Sequence, residues 1–262
     1  MNRKYAIRTI RNEILRHRPY FAHLAITHRC NLRCRFCHIT EETYDELDLA
    51  GMQRVIDVLD RMGIAVLSIC GGGEPLLRKD FASIIDYAVD KGLYTKITSN
   101  GTLARDRYRE LLDSKITEIA ISLDGVEGDD LPYGHVSPKI LQTIRYLNDH
   151  VRKGQSLTLN VTISDINRNQ VGEIVDYCTR EYPNARIWLN PVVTGEGKLR
   201  TEGVKMADPH YLRKVESATL LKAGFFISGA EEYYRSGRID WGCLAGRFSF
   251  DIKPNGDFWI CQ

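Results

Sequence analysis

From residue 22 onward, short β-rich runs alternate with helix-length amphipathic runs. The run AHLAIT (22–27) leads into a loop rich in cysteine. LAGMQRVIDVLDRMG then sets Met52, Val55, Ile56, Leu59 and Met62 on one face at helical spacing, with Asp48 as a cap. AVLSIC (65–70) is almost continuously apolar, as a strand covered on both sides is, and DFASIIDYAVDKG reads as a helix closed by Gly92. The rhythm then repeats. YTKITSN, EIAISLD, LTLNVTIS and RIWLNPVV are predicted strands, separated by predicted helices near 104–113, 138–152 and 169–181.

Six βα units with short connections imply a parallel sheet with helices outside it, either doubly wound or barrel-like. The residues just after each strand favour the barrel: THRC, CGGGEP, TSNG, SLDG, TISDIN and NPVVTGEG are all polar or glycine-rich. In βα barrels those ends converge on one mouth, where active sites are built. Six units predict an incomplete (β/α)6 barrel over residues 20–200. Beyond residue 200 the rhythm changes. A helical connection (201–242, with a helix near 208–222) leads to RFSFDIKPNGDFWICQ, where Asn255 and Gly256 between two alternating runs signal a β-hairpin. A small appendage over 243–262 is expected. There is no internal repeat.

Composition narrows the chemistry. Net charge is +2 from 36 basic and 34 acidic residues, so nothing global points to nucleic acid. The first 18 residues carry six basic side chains against one acidic one, with Ile7, Ile10 and Ile14 along one face; residues 1–19 are expected to be a docking helix with a solvated basic side. With no signal peptide and no apolar run long enough to span a bilayer, the chain reads as cytoplasmic. Seven cysteines, an odd number unevenly spread, argue against a disulfide framework. Cys70 and Cys178 read as core packing. Tyr233, Tyr234 and Trp241 are expected to pack the appendage.

Cys30, Cys34 and Cys37 stand apart. Thiolates favour zinc or iron-sulfur clusters, and a structural zinc site wants four ligands. His28 and His38 flank the triplet, but His38, adjacent to Cys37, would strain to join it on one ion. A cubane cluster held by three thiolates leaves one iron open to a small molecule.

At this point the sequence resembles a known family. Cys30-x3-Cys34-x2-Cys37 after the first strand, with aromatic Phe36 before the last cysteine, resembles the signature of the radical S-adenosylmethionine (SAM) superfamily. GGGEP (71–75), TSNG (98–101) and ISLDG (121–125) follow in that family's order, and the resemblance covers roughly residues 20–195. It implies a partial TIM-like barrel in which Cys30, Cys34 and Cys37 hold a [4Fe-4S] cluster whose free iron is chelated by SAM. It implies reductive cleavage of SAM to methionine and a 5'-deoxyadenosyl radical that abstracts hydrogen from a substrate.

Position by position, Gly72, Gly73 and Glu74 match the segment that meets the methionine amino group. Ser122 matches a ribose contact, Ser99 and Asn100 are further ligand candidates, and Pro191 to Val193, centred on Val192, would border the adenine. The arginine that binds the methionine carboxylate in many relatives is missing after SLDG; Asn160, Lys139 or His135 are the substitutes in view. Cys243 and Cys261, flanking the Asn255-Gly256 turn, resemble the opening of a SPASM or twitch appendage. They imply ligands for a second, auxiliary iron-sulfur cluster; because the chain stops inside its hairpin, the expectation is a piece of a longer protein, with a degenerate or absent second cluster as the alternative.

The resemblance implies a flavodoxin or ferredoxin as electron donor and a peptide, carbohydrate, lipid or other small molecule as substrate. The apparent lack of a leader-binding domain points away from a ribosomal peptide. The competing reading is a non-catalytic iron-sulfur or zinc protein in electron transfer or nucleic-acid binding.

Overall fold

Local chemistry sets the elements. Asp48 accepts a hydrogen bond from the Gly51 N–H at 2.7 Å and opens helix α1 (Leu49–Met62), which Gly63 closes in the left-handed conformation at φ 84°. Ser137 caps α4 (Pro138–His150) in the same way, accepting from the Ile140 N–H, with Pro138 in the first turn. The computed structural model describes residues 7–8, 19–34, 37, 43, 45–70, 72–125, 137–191, 232, 235–236 and 246–260. The remaining helices are α2 (Phe81–Asp90), α3 (Arg105–Asp113) and α5 (Val171–Glu181). The strands are β1 (Phe21–Leu24), β2 (Val66–Ile69), β3 (Tyr94–Ser99), β4 (Glu118–Ser122), β5 (Ser156–Ile163), β6 (Ala185–Pro191), β7 (Ser249–Ile252) and β8 (Phe258–Trp259).

The sheet order is β6-β5-β4-β3-β2-β1-β7-β8, parallel throughout except for the antiparallel β7–β8 pair. Six strands in chain order, joined by helical crossovers of one hand, put the helices on one face and leave the other to line a concavity. This is the partial barrel expected. The two faces separate by chemistry. Leu24, Ile69, Ile97, Ile121 and Leu159 join Met52, Ile56, Phe81 and Ile144 of the helices in one buried core. At about 25 cal/mol per Å² of apolar surface removed from water, that layer is the main source of stability. On the other face, His23, Ser68, Lys96 and Glu118 lie side by side in register on β1 to β4.

The predicted hairpin is present, and Gly256 at φ 90° makes its turn, its N–H donating to the Lys253 carbonyl. It is joined to the barrel: β7 runs parallel to β1, with Phe21 opposite Ser249 and Leu24 opposite Ile252. Two expectations are corrected. Met62, assigned to the buried face of α1, is 39% exposed because the helix ends there. At the N-terminus Ile7 is 60% exposed and Arg8 is docked instead. The Arg8 guanidinium donates to the Ile64 and Lys91 carbonyls and pairs with Asp60, so it sits just past the C-terminal ends of α1 and α2. Ile10 and Ile14 lie outside the described residues.

Candidate functional site

The cysteine loop leaves β1 and is held by its neighbours on three sides. The Gly73 N–H donates to the Thr27 carbonyl at 2.7 Å and the Glu74 N–H to the Arg29 carbonyl at 2.8 Å. A Cβ on Gly72 would overlap the Thr27 carbonyl, and one on Gly73 the Arg29 carbonyl. Gly72 and Gly73 are therefore required by backbone lying on backbone, before any ligand is considered. On the second side, Glu46 accepts from the Thr27 hydroxyl at 2.6 Å and the His28 N–H at 3.0 Å. Burial pushes its carboxyl up, but these donors and the nearby Arg29 prevail and hold it below its ordinary value. From below, the buried Arg78 guanidinium donates to the Ile26 carbonyl at 2.8 Å and pairs with Asp80.

The third side holds three of the residues assigned to the ligand, Glu74, Asn100 and Ser99. Glu74 is buried, its carboxylate accepting from the Leu76 N–H and, at 2.7 Å, from the Asn100 N–H. The Asn100 amide donates to the Asn31 side chain at 2.9 Å and accepts from the Thr102 N–H and hydroxyl, while Asn31 donates to the Thr102 hydroxyl. The side chains of Glu74 and Asn100 thus tie the glycine loop, the β3 loop and the cysteine loop together. Ser99 faces the helix layer, where its hydroxyl meets the Tyr108 hydroxyl and the Gly101 N–H. As a strand residue it alternates away from the concave face.

Within the loop, Cys30, Cys34 and Cys37 are all half-buried. The Cys37 N–H donates to the Cys34 carbonyl at 3.0 Å and the Leu32 N–H to the Cys30 sulfur at 3.4 Å. Among the described residues no three His, Cys, Asp or Glu side chains converge on a single ion. A cubane asks for something else, since each thiolate takes a different iron.

Across the mouth, Ser122 on β4 and Asn160 on β5 lie opposite one another, with Trp188 on β6 next in register. The Asn160 Oδ1 is buried and has no hydrogen-bond partner among the described residues. Such an atom costs stability unless a ligand satisfies it. Of the two described substitutes for the missing arginine, Asn160 and Lys139, Asn160 lies here. Lys139 lines the groove between α3 and α4 beside Leu103 and Tyr146. His135, Phe36, Val192, Cys243 and Cys261 lie outside the described residues. Sequence reasoning passed over Trp188, although two-residue alternation from Asn190 put it on the inner face. Its indole N–H donates to the Asn190 side chain at 2.5 Å, which orients the ring. It also passed over Asp124 and Asn167, both buried, which hold the ends of β4 and β5 together: Asp124 accepts from the Thr162 N–H, and Asn167 donates to the Asp124 and Thr162 carbonyls.

Three thiols on a locked loop and an unsatisfied amide oxygen across the mouth fit a thiolate-held cluster with a polar small molecule beside it. Comparisons with known proteins agree. The chain is 32% identical over 165 residues to the PqqA peptide cyclase of Bradyrhizobium diazoefficiens, covering 60% of this chain and 42% of that protein. It is 26% identical over 248 residues to the mycofactocin maturase MftC of Mycolicibacterium smegmatis, covering 90% of this chain and 62% of that one. The chain spans about half the length of the curated relatives it matches. The crystal structure of Streptococcus suis SuiB bound to S-adenosylmethionine superposes on 99% of this chain and 64% of its own, at TM-score 0.72 and 21% identity, and so shares the fold. No helix among the described residues is long and apolar enough to cross a membrane. A profile of the Radical SAM superfamily, whose cofactors are a [4Fe-4S] cluster and SAM, matches residues 24–178, more than half of the chain, and the chain belongs to that family.

Proposed function

We propose that this chain is the radical-generating core of a radical SAM enzyme. Cys30, Cys34 and Cys37 hold the [4Fe-4S] cluster, and Ser122, Asn160 and Trp188 line the SAM site on the opposite side of the mouth. When bound, the pair supplies an electron to the sulfonium and a 5'-deoxyadenosyl radical to the substrate. The protein's share is position and exclusion of water. Gly72 and Gly73 bring the second loop against the first, so that the Gly72–Glu74 segment faces the methionine amino group. The Asn160 amide stands in for the missing arginine toward the methionine carboxylate through its N–H donors, and its orphaned Oδ1 accepts from a ribose hydroxyl.

The observation that carries this reading is the set of three cysteines, Cys30, Cys34 and Cys37, on a loop tied down by Glu46, Gly73 and Asn100. A flavodoxin or ferredoxin is the proposed donor. Among the relatives above, the PqqA peptide cyclase favours a peptide as the first substrate class to screen. Cys243 and Cys261 are proposed as ligands of an auxiliary cluster in the whole protein.

The test is anaerobic reconstitution of the chain and of Cys34→Ala, with iron counting, followed by dithionite and SAM and chromatography for 5'-deoxyadenosine. The parent is expected to hold about four irons per core cluster and to release the nucleoside, and the variant to do neither. One zinc per chain, or a full cluster that never cleaves SAM, would favour the non-catalytic reading instead.

A further inference from the structure

Cys70 lies outside the cluster loop and is not inert packing. Its sulfur is 3.1 Å from His23 Nδ1 and 3.2 Å from the Ser68 hydroxyl. His23 stands on β1, and Ser68 and Cys70 follow two-residue alternation along β2 and just past its end, so all three face the concavity. On the far side of His23, Asp251 of β7 lies directly opposite in register. Lys96 follows on β3, engaged with Glu118 of β4 at 3.3 Å. The constellation needs both parts of the chain, because the hairpin delivers Asp251 to the barrel's first strand.

We propose that His23 and Cys70 form a thiolate–imidazolium pair on the inner wall of the barrel, a base for a substrate that carries an O–H or N–H beside the carbon from which hydrogen is taken. The role as base rests on the function proposed above; the pair itself does not. Removing a hydrogen atom from a carbon makes a neighbouring O–H or N–H more acidic, so a thiolate of modest basicity suffices. In that step the substrate's X–H bond breaks, its proton bonds to Sγ, the electron pair stays on the substrate, and the thiol later returns the proton to solvent. No electron is exchanged with the protein.

The electrostatics agree with the geometry. Burial opposes charge on both groups, yet the mutual hydrogen bond and attraction prevail, drawing the Cys70 thiol below its ordinary value and His23 above its own. Ser68 and Lys96 add to the first shift. Asp251 adds to the second and Lys96 opposes it, while burial holds the Asp251 carboxyl above the ordinary carboxylate value. Cys178 in α5 is the internal contrast: buried, with burial alone pushing its thiol to about 12.

The test is the pH dependence of iodoacetamide alkylation of the anaerobically reconstituted protein, read residue by residue by mass spectrometry. Alkylation forms an S–C bond and releases iodide, and only the thiolate reacts. Cys70 is expected to titrate with a midpoint below the ordinary 9.0 and, at pH 7, to react about tenfold faster than in His23→Gln, with Cys178 unmodified throughout. Asp251→Asn, the milder change, is expected to slow Cys70 severalfold.

A parental midpoint at or above 9.0 overturns the pair even where a variant does not fold. Failure of Cys70 to react at any pH overturns it equally, since a site no small molecule reaches serves no substrate. Release of 5'-deoxyadenosine by the same parental samples is scored separately. A shifted thiol without the nucleoside sinks the proposed function alone, and the nucleoside with an ordinary thiol sinks this pair alone.

Discussion

Gly73 has no room for a side chain, because the Arg29 carbonyl occupies the place of its Cβ. Gly73→Ala must push the cysteine loop away and break the bond from the Gly73 N–H to Thr27, at a cost of about 1–3 kcal/mol. We expect a lower melting temperature and, more tellingly, a reduced iron content after reconstitution; full iron at wild-type stability would mean the loops do not depend on each other. Glu74→Ala leaves the Leu76 and Asn100 N–H groups unpaired, about 1–3 kcal/mol for each buried donor, and should disturb cluster assembly through Asn100 and Asn31. Glu46 gives the loop a pH limit. Its partners bind the carboxylate, so its contribution is whole above the ordinary 4.5 and is lost as pH falls through the lower folded value. The acid limb of a stability profile should flatten in Glu46→Gln, and an unchanged limb would remove Glu46 from the account. The cysteine spacing and the glycine stretch were legible in sequence because spacing and residue type suffice to mark them. The tasks of Glu74, Asn100 and Ser99 were not: a strand's last residues point to alternating sides, and which loop an amide reaches is decided by tertiary neighbours.

Among the elements, the helices were the most legible, because 3.6-residue periodicity records directly which side is buried. Met52, Val55, Ile56 and Leu59 are buried as read, and the Asp48 cap predicts that Asp48→Ala costs about 1 kcal/mol, or about 2–4 °C in a chain of this size, by calorimetry. No shift would assign the start of α1 to packing alone. The periodicity failed at Met62, where the helix stops, and at Ile7, where Arg8 found the carbonyl ends of two helices and outweighed an apolar contact. Strand faces were less legible than helix faces. A run such as AVLSIC looks apolar throughout, yet Ser68 and Cys70 line the concavity while Leu67 and Ile69 enter the core. Only the sheet order tells which parity faces inward.

At the scale of the molecule, the hairpin is the part whose placement sequence could not give. The Asn255-Gly256 turn announced two strands, but partner choice is non-local, and β7 closes on β1, 225 residues or more earlier in the chain. The contacts reach the functional loop: the Ala25 N–H donates to the Ile252 carbonyl, and the Leu47 N–H to the Pro254 carbonyl, on either side of the cysteines. Phe250 and Ile252 are buried in the common core, and Phe250 stacks on Phe258 at 5.4 Å. If the hairpin is integral to the sheet, Phe250→Ala, at about 3–5 kcal/mol, must lower the single unfolding transition of the whole chain and weaken iron retention at the same time. If it is an attached module, the same change produces an early partial transition, leaves the main one where it was, and leaves the iron in place. Calorimetry alongside iron counting separates the two. The first outcome also explains how residues beyond the barrel come to set the charge on its inner wall, because Asp251 reaches His23 only while β7 remains paired with β1.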